Sequence, residues 1–123
     1  MALDGLVFDV PDTTANDEAF GRGGNDQAKR PFPQVRLVAV AECGTHALVD
    51  AVLGPVATGE QTLATALISR LARGMLVLAD RNFYSYQAWQ QASATEAALL
   101  WRVLGRVPLP VLAALPMAPT GPC

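Results

Sequence analysis

The sequence predicts an α/β domain with a mixed sheet, a three-stranded antiparallel part plus two parallel strands, with helices between the later strands. Short apolar runs sit at residues 3–10, 34–42, 46–54, 75–79 and 97–103. Only Cys43, Gly44 and Thr45 separate the second run from the third, and two amphipathic segments interleave with the last three runs. Three strands, helix, strand, helix, strand is the order of a hairpin-built meander followed by a βαβ unit.

In the first run Asp4, Leu6, Phe8 and Val10 share one parity and Leu3, Val7 and Asp9 the other, so Asp4 and Asp9 are expected on opposite faces. Residues 11–33 are polar and turn-rich, with Gly21, Gly23, Gly24, Pro31 and Pro33 among charges of both signs, and read as one long loop. Residues 34–42 and 46–54 then form a hairpin. Thr58 reads as the N-cap of the first helix, with Gln61 three residues later. Leu63, Leu67 and Leu71 recur at helical spacing with Ile68 beside them, and Gly74 is expected to stop the helix. Residues 75–79 are apolar without alternation, the pattern of a parallel strand covered on both faces. A second amphipathic helix spans about residues 85–94, and 97–103 is the fifth strand. Such a sheet is of the ribonuclease H type, with the first and fourth strands side by side, although the order alone also permits other mixed sheets.

At 123 residues the chain is one domain, long enough for a core and short for a complete enzyme. With 51% hydrophobic residues it should fold rather than stay disordered. A formal charge of −2 argues against a strongly basic nucleic-acid-binding face, though not against local contacts. Cys43 and Cys123 support neither a disulfide framework nor a Cys-rich zinc site, which fits a reducing cytoplasm. The start, Met1-Ala2-Leu3-Asp4, lacks the pattern of a signal peptide. Beyond Arg106 the chain is uncharged, but Pro108, Pro110, Pro116, Pro119 and Pro122 rule out a spanning helix there. The expected organisation is therefore a domain over 1–106 and a proline-rich, irregular tail over 107–123.

Asp4 and Asp80 each place a lone carboxylate in or at the end of a strand, where an unpaired charge is costly unless it binds something. Neighbouring first and fourth strands would bring them together. Oxygen-only ligation suits Mg²⁺ or Mn²⁺ rather than zinc. Two such ions roughly 4 Å apart can activate a water or 3′-hydroxyl and stabilise the leaving oxygen of a phosphodiester. Asp80 equally reads as a helix-capping acid paired with Arg81, and Asp4 as a solvated carboxylate on a frayed terminal strand. Arg36, with Arg22, Lys29 and Arg30, could meet nucleic-acid phosphates beside the first strand, and Arg81 could orient one next to Asp80. For the loop residues the competing reading is surface charge balanced by Asp17, Glu18 and Asp26.

No other acid reads as a third ligand: Glu60 suits the first turn of its helix, while Asp50, Glu96, Asp9, Asp12, Asp17 and Glu18 suit solvent. His46, the single histidine, reads as a hairpin residue, and there is no Gly-x-Ser-x-Gly elbow to support a hydrolase triad. Gly21-Arg22-Gly23-Gly24 completes no dinucleotide fingerprint. Trp89 and Trp101 read as core anchors.

Several blocks, in order, resemble the DDE-type transposases of bacterial insertion sequences, specifically family four. They are Asp4-Gly5; Val10-Pro11-Asp12-Thr13 with Asn16 and Phe20-Gly21; Phe32-Pro33-Gln34-Val35-Arg36; Glu42-Cys43-Gly44-Thr45-His46; Thr58-Gly59-Glu60-Gln61-Thr62; and Leu78-Ala79-Asp80-Arg81-Asn82-Phe83-Tyr84. The resemblance covers about residues 3–112. It implies a ribonuclease H-like fold, Mg²⁺ or Mn²⁺ as cofactor, cleavage and strand transfer at transposon ends, and DNA and other transposase subunits as partners. By it Asp4 matches the first catalytic, metal-binding aspartate and Asp80 the second. Leu6 stands where the family usually has Thr, and Asn82 where it usually has Gly. The third carboxylate, a Glu on a helix beyond the fifth strand, has no counterpart, and residues 113–123 look unlike the family. The expectation is a truncated catalytic core, incomplete at its carboxyl end, that holds metal weakly and is inactive alone. The alternative is a non-catalytic α/β module, derived from a transposase, that binds DNA or protein.

Overall fold

The computed structural model describes residues 1–25 and 28–114. Its elements are β1 (Ala2–Asp9), α1 (Thr14–Phe20), β2 (Gly24–Asn25), β3 (Ala28–Lys29), β4 (Gln34–Ala41), β5 (Leu48–Pro55), α2 (Glu60–Ile68), β6 (Leu76–Ala79), a 3-10 turn (Arg81–Phe83), α3 (Tyr86–Ser93) and β7 (Ala98–Trp101). Five strands form one mixed sheet in the order β5-β4-β1-β6-β7, while β2 and β3 make a separate small ribbon. β5, β4 and β1 are antiparallel neighbours, whereas β6 lies parallel to both β1 and β7. The first and fourth strands of the sequence reading are thus side by side, with Leu3 opposite Ala79.

Parity along the strands sorts the sheet into two unlike faces. Leu3, Val38, Val40, Val77, Ala79 and Trp101 point to the side covered by α2 and α3, where Ala64, Leu67, Ile68, Phe83 and Ala92 complete the core. Trp89 of α3 meets Trp101 edge-on at 5.6 Å between ring centroids, so both tryptophans are core anchors, as their sequence context suggested. On the other face Leu6, Phe8, Leu53, Leu76 and Leu100 remain between 41% and 62% exposed. The expectation that residues 75–79 are covered on both sides is therefore corrected: Val77 is sealed, while Leu76 stands in solvent.

Three further expectations change. Residues 11–33 are not one loop, because Thr13 caps α1 by accepting from the Asn16 amide, and β2 and β3 pair beyond it. α1 escapes a periodicity search because it buries no residue. The N-cap of α2 is Gly59 rather than Thr58, and no side chain caps it. α2 also ends at Ile68, six residues before Gly74, because tight turns from Leu67 and Ile68 to the amides of Arg70 and Leu71 fold Leu71 back into the core. Gly74 serves the next turn, at φ 90°. The expected tail lies outside the described residues beyond 114, as does Cys123; its described part, 107–114, forms neither helix nor strand.

The β4–β5 turn is organised by Glu42, whose carboxylate accepts from the Gly44 amide, the Thr45 amide and the Thr45 hydroxyl at 2.9, 2.6 and 2.7 Å. The Thr45 hydroxyl foremost, then the two amides, lower its pKa from 4.5 to about 2. Because the folded value is depressed, the turn's contribution is fully present above the ordinary carboxylate value and is lost as pH falls from about 4.5 toward 2. An NMR titration of the Glu42 carboxyl in the native protein should show this displaced midpoint, and in Glu42→Gln the corresponding acid loss of stability should vanish.

Candidate functional site

β1, β6 and β7 run parallel, and their register sets the site. Leu3 pairs with Ala79 and Ala79 with Trp101, so the next residue on each strand, Asp4, Asp80 and Arg102, forms a row on the open face. The Arg102 amide still donates to the Ala79 carbonyl at 2.9 Å, which holds the row together on the β7 side. On the other side β6 leaves β1 directly after Ala79 and enters the 3-10 turn. That divergence opens a shallow depression of about 650 Å³ whose lining includes Asp4, Asp80, Leu100 and Arg102. A crevice at the carboxyl ends of parallel strands is where open α/β sheets place ligands.

Within it the Asp4 carboxylate accepts from the Gly5 amide at 2.8 Å. Asp80 makes no capping hydrogen bond to the turn that follows, so the helix-cap reading of this acid is not what the geometry shows. Its nearest cation is Arg102 at 3.8 Å rather than Arg81, and with side chains 57% and 71% exposed this pair contributes little to stability. Both acids thus keep oxygens available on one solvent-facing surface.

The other predicted residues divide sharply. Arg81 is exposed at the start of the 3-10 turn, next to Asp80. Arg36 lies on the helix-covered face, where it pairs with Glu60 at 3.1 Å and donates to the Val56 carbonyl at 3.2 Å. Contact with a phosphate would require it to leave both partners. Arg22 is held by Asp12, Asp17 and the Pro31 carbonyl; of the acids the surface-charge reading named, Asp17 is its partner, and Asp12 was not among them. These two carboxylates and the backbone carbonyl account for the place of its guanidinium. Lys29 and Arg30 are exposed. His46 donates its amide to the Glu42 carbonyl at 2.8 Å and is a turn residue with φ 60°. Among the described residues no group of three His, Cys, Asp or Glu side chains is placed to share a metal ion. No helix among them is long and apolar enough to cross a membrane.

The sequence reading missed one cluster. Glu60, at the first turn of α2, accepts from Arg36 and from the Asn82 side chain, while Gln61 donates to the Asn82 carbonyl at 2.7 Å. Only the presence of Asn82 in a block otherwise rich in matches hinted at it.

No family model matches the chain, and no solved structure matches it. Over 95 residues it is 35% identical to the transposase InsG for insertion sequence element IS4 of Escherichia coli strain K12, a match covering 75% of this chain and 22% of that protein. Over 87 residues it is 35% identical to InsZ of the same strain, which also carries a transposase name; that match covers 69% of this chain and 29% of InsZ. The chain is homologous to transposases, and the match spans about a quarter of the length of these relatives.

Proposed function

We propose that this transposase-related chain is a DDE-type catalytic-core module of insertion-sequence family four, with a ribonuclease H-like sheet on which Asp4 and Asp80 hold Mg²⁺ or Mn²⁺ beside DNA. The single observation that carries the reading is the register that sets Asp4 on β1 and Asp80 just past the carboxyl end of the neighbouring parallel strand β6, both lining one open depression. The sheet order β5-β4-β1-β6-β7 supports the fold assignment, and the homology supports the choice of DNA over other phosphodiesters.

The donor set fits a hard divalent cation: two exposed carboxylates, with no thiolate or imidazole in the depression. When bound, such an ion supplies charge stabilisation at a phosphodiester and a more acidic attacking water or hydroxyl. The protein's own part is to fix the donors. The Gly5 amide orients the Asp4 carboxylate, β-pairing through Ala79 sets the position of Asp80, and the exposed guanidinium groups of Arg81 and Arg102 offset phosphate charge at the rim. Two carboxylates leave a second ion poorly held, so binding without turnover is the expected behaviour of this chain alone.

Purified protein should broaden the Asp4 and Asp80 NMR signals on Mn²⁺ addition, retain transposon-end DNA at low ionic strength with affinity falling as salt rises, and leave that DNA uncut. Robust cleavage that disappears in Asp80→Ala would overturn the expected inactivity. DNA retention without any Mn²⁺ effect would favour the non-catalytic binding module instead.

A further inference from the structure

We infer that Glu60 is a positioning residue that sets the separation of Asp4 and Asp80 from the opposite face of the sheet. The inference deepens the proposed metal reading and rests on it only for its metal-binding consequence. Glu60 is 19% exposed, and its two carboxylate oxygens are separately engaged, Oε1 by Arg36 at 3.1 Å and Oε2 by the Asn82 amide group. Asn82 stands two residues beyond Asp80, inside the 3-10 turn where the Phe83 amide donates to the Asp80 carbonyl at 3.0 Å. Gln61, the next residue of α2, holds the Asn82 carbonyl as well, so the turn is gripped at both its side chain and its backbone.

The same carboxylate touches the other acid's strand. A Cβ placed on Gly5 would lie 3.0 Å from Glu60 Cδ and 3.0 Å from Oε1, so the Glu60 head packs directly on the glycine backbone. The amide of that glycine is the group that orients the Asp4 carboxylate. One side chain therefore braces the β1 residue that directs Asp4 and the turn that directs Asp80, at the level where β1 and β6 part and no ladder bond ties them. Arg36, anchored on β4 and on the Val56 carbonyl, fixes the carboxylate in turn. Outer partners of this kind orient ligands without touching the metal.

The test compares Glu60→Ala, Glu60→Gln and Gly5→Ala with Asp50→Ala in the full chain. Asp50→Ala removes the 2.8 Å ion pair with Arg70, which sits in the turn just beyond the far end of α2, and serves as a control for general loosening of that helix. Glu60→Ala should speed amide exchange at Gly5 and Phe83 on the order of tenfold while β5 amides keep their rates. It should also weaken Mn²⁺ binding about tenfold or more. Glu60→Gln, which keeps an acceptor for Asn82, should recover part of both, and Gly5→Ala, which pushes the carboxylate away, should copy Glu60→Ala. Unchanged exchange at Gly5 and Phe83 in Glu60→Ala, or equal changes in Asp50→Ala, would overturn the positioning role. If the unsubstituted protein shows no Mn²⁺ effect, the metal reading fails by itself, and the exchange rates still decide the role of Glu60.

Discussion

Truncating Leu67 to alanine should lower the free energy of unfolding by about 2–5 kcal/mol, as large-to-small changes at sealed positions do. Leu67 is 1% exposed in the last turn of α2, in the core cluster with Ile68 and Val38, which are equally sealed. Two of the sealed residues in this cluster, Ile68 on the same helix and Val38 on β4, are β-branched with few alternative rotamers, so the cavity should persist at least in part. A small domain has roughly 5–15 kcal/mol in total, so the loss is a large fraction of its margin. Urea unfolding monitored by the fluorescence of Trp89 and Trp101 would measure it. Leu100→Asn, on the open face at 62% exposure, should change the free energy of unfolding by about 0.5 kcal/mol or less under the same conditions. Comparable losses for the two variants would mean that the faces have been assigned wrongly.

Asp80→Ala should have two effects of opposite sign. On the proposed reading it removes one of two ligands, so Mn²⁺ affinity should fall by more than about 100-fold, the upper end of what loss of an outer partner costs. Without metal the variant should be slightly more stable, by roughly 0.2–1 kcal/mol, because like charges on adjacent strands repel. That gain should shrink between low and high salt, since both carboxylates face solvent. Arg102 offsets little of the repulsion at 3.8 Å and 71% exposure. Thermal unfolding with a chelator and with Mn²⁺ separates the two effects. A variant destabilised in both conditions would show that Asp80 is a structural residue and not a site held at a cost to the fold.

Much of this could be read from the sequence, and the parts that could not share a cause. The adjacency of β1 and β6 follows from the order of the elements, since a meander followed by a right-handed crossover leaves few places for the fourth strand. Placing Asp4 beside Asp80 needed only that adjacency and the strand parity. α1 stayed hidden because helical periodicity reports burial, and a seven-residue helix that buries nothing has no period to report. The end of α2 was misplaced for a related reason. Leu71 continues the helical spacing of Leu63 and Leu67, yet it reaches the core through a tight turn after Ile68. The open face was illegible because an apolar strand such as Leu76–Ala79 looks the same whatever lies against it. Glu60 looked like a dipole partner for its own helix, and only the fold brings Gly5, Arg36 and Asn82 around it.

The largely one-sided burial of the sheet, with Val35 and Ala39 the sealed residues of the open face, also sets the thermodynamic character of the domain. Leu6, Phe8, Leu53, Leu76 and Leu100 keep much of their hydration whether the chain is native or denatured. Their surface adds less to the heat-capacity increment than full burial would, so the increment should lie toward or below the low end of the approximately 12–15 cal/mol/K per residue usual for globular domains. The stability curve is accordingly broad and low, like that of a chain considerably shorter than its 123 residues.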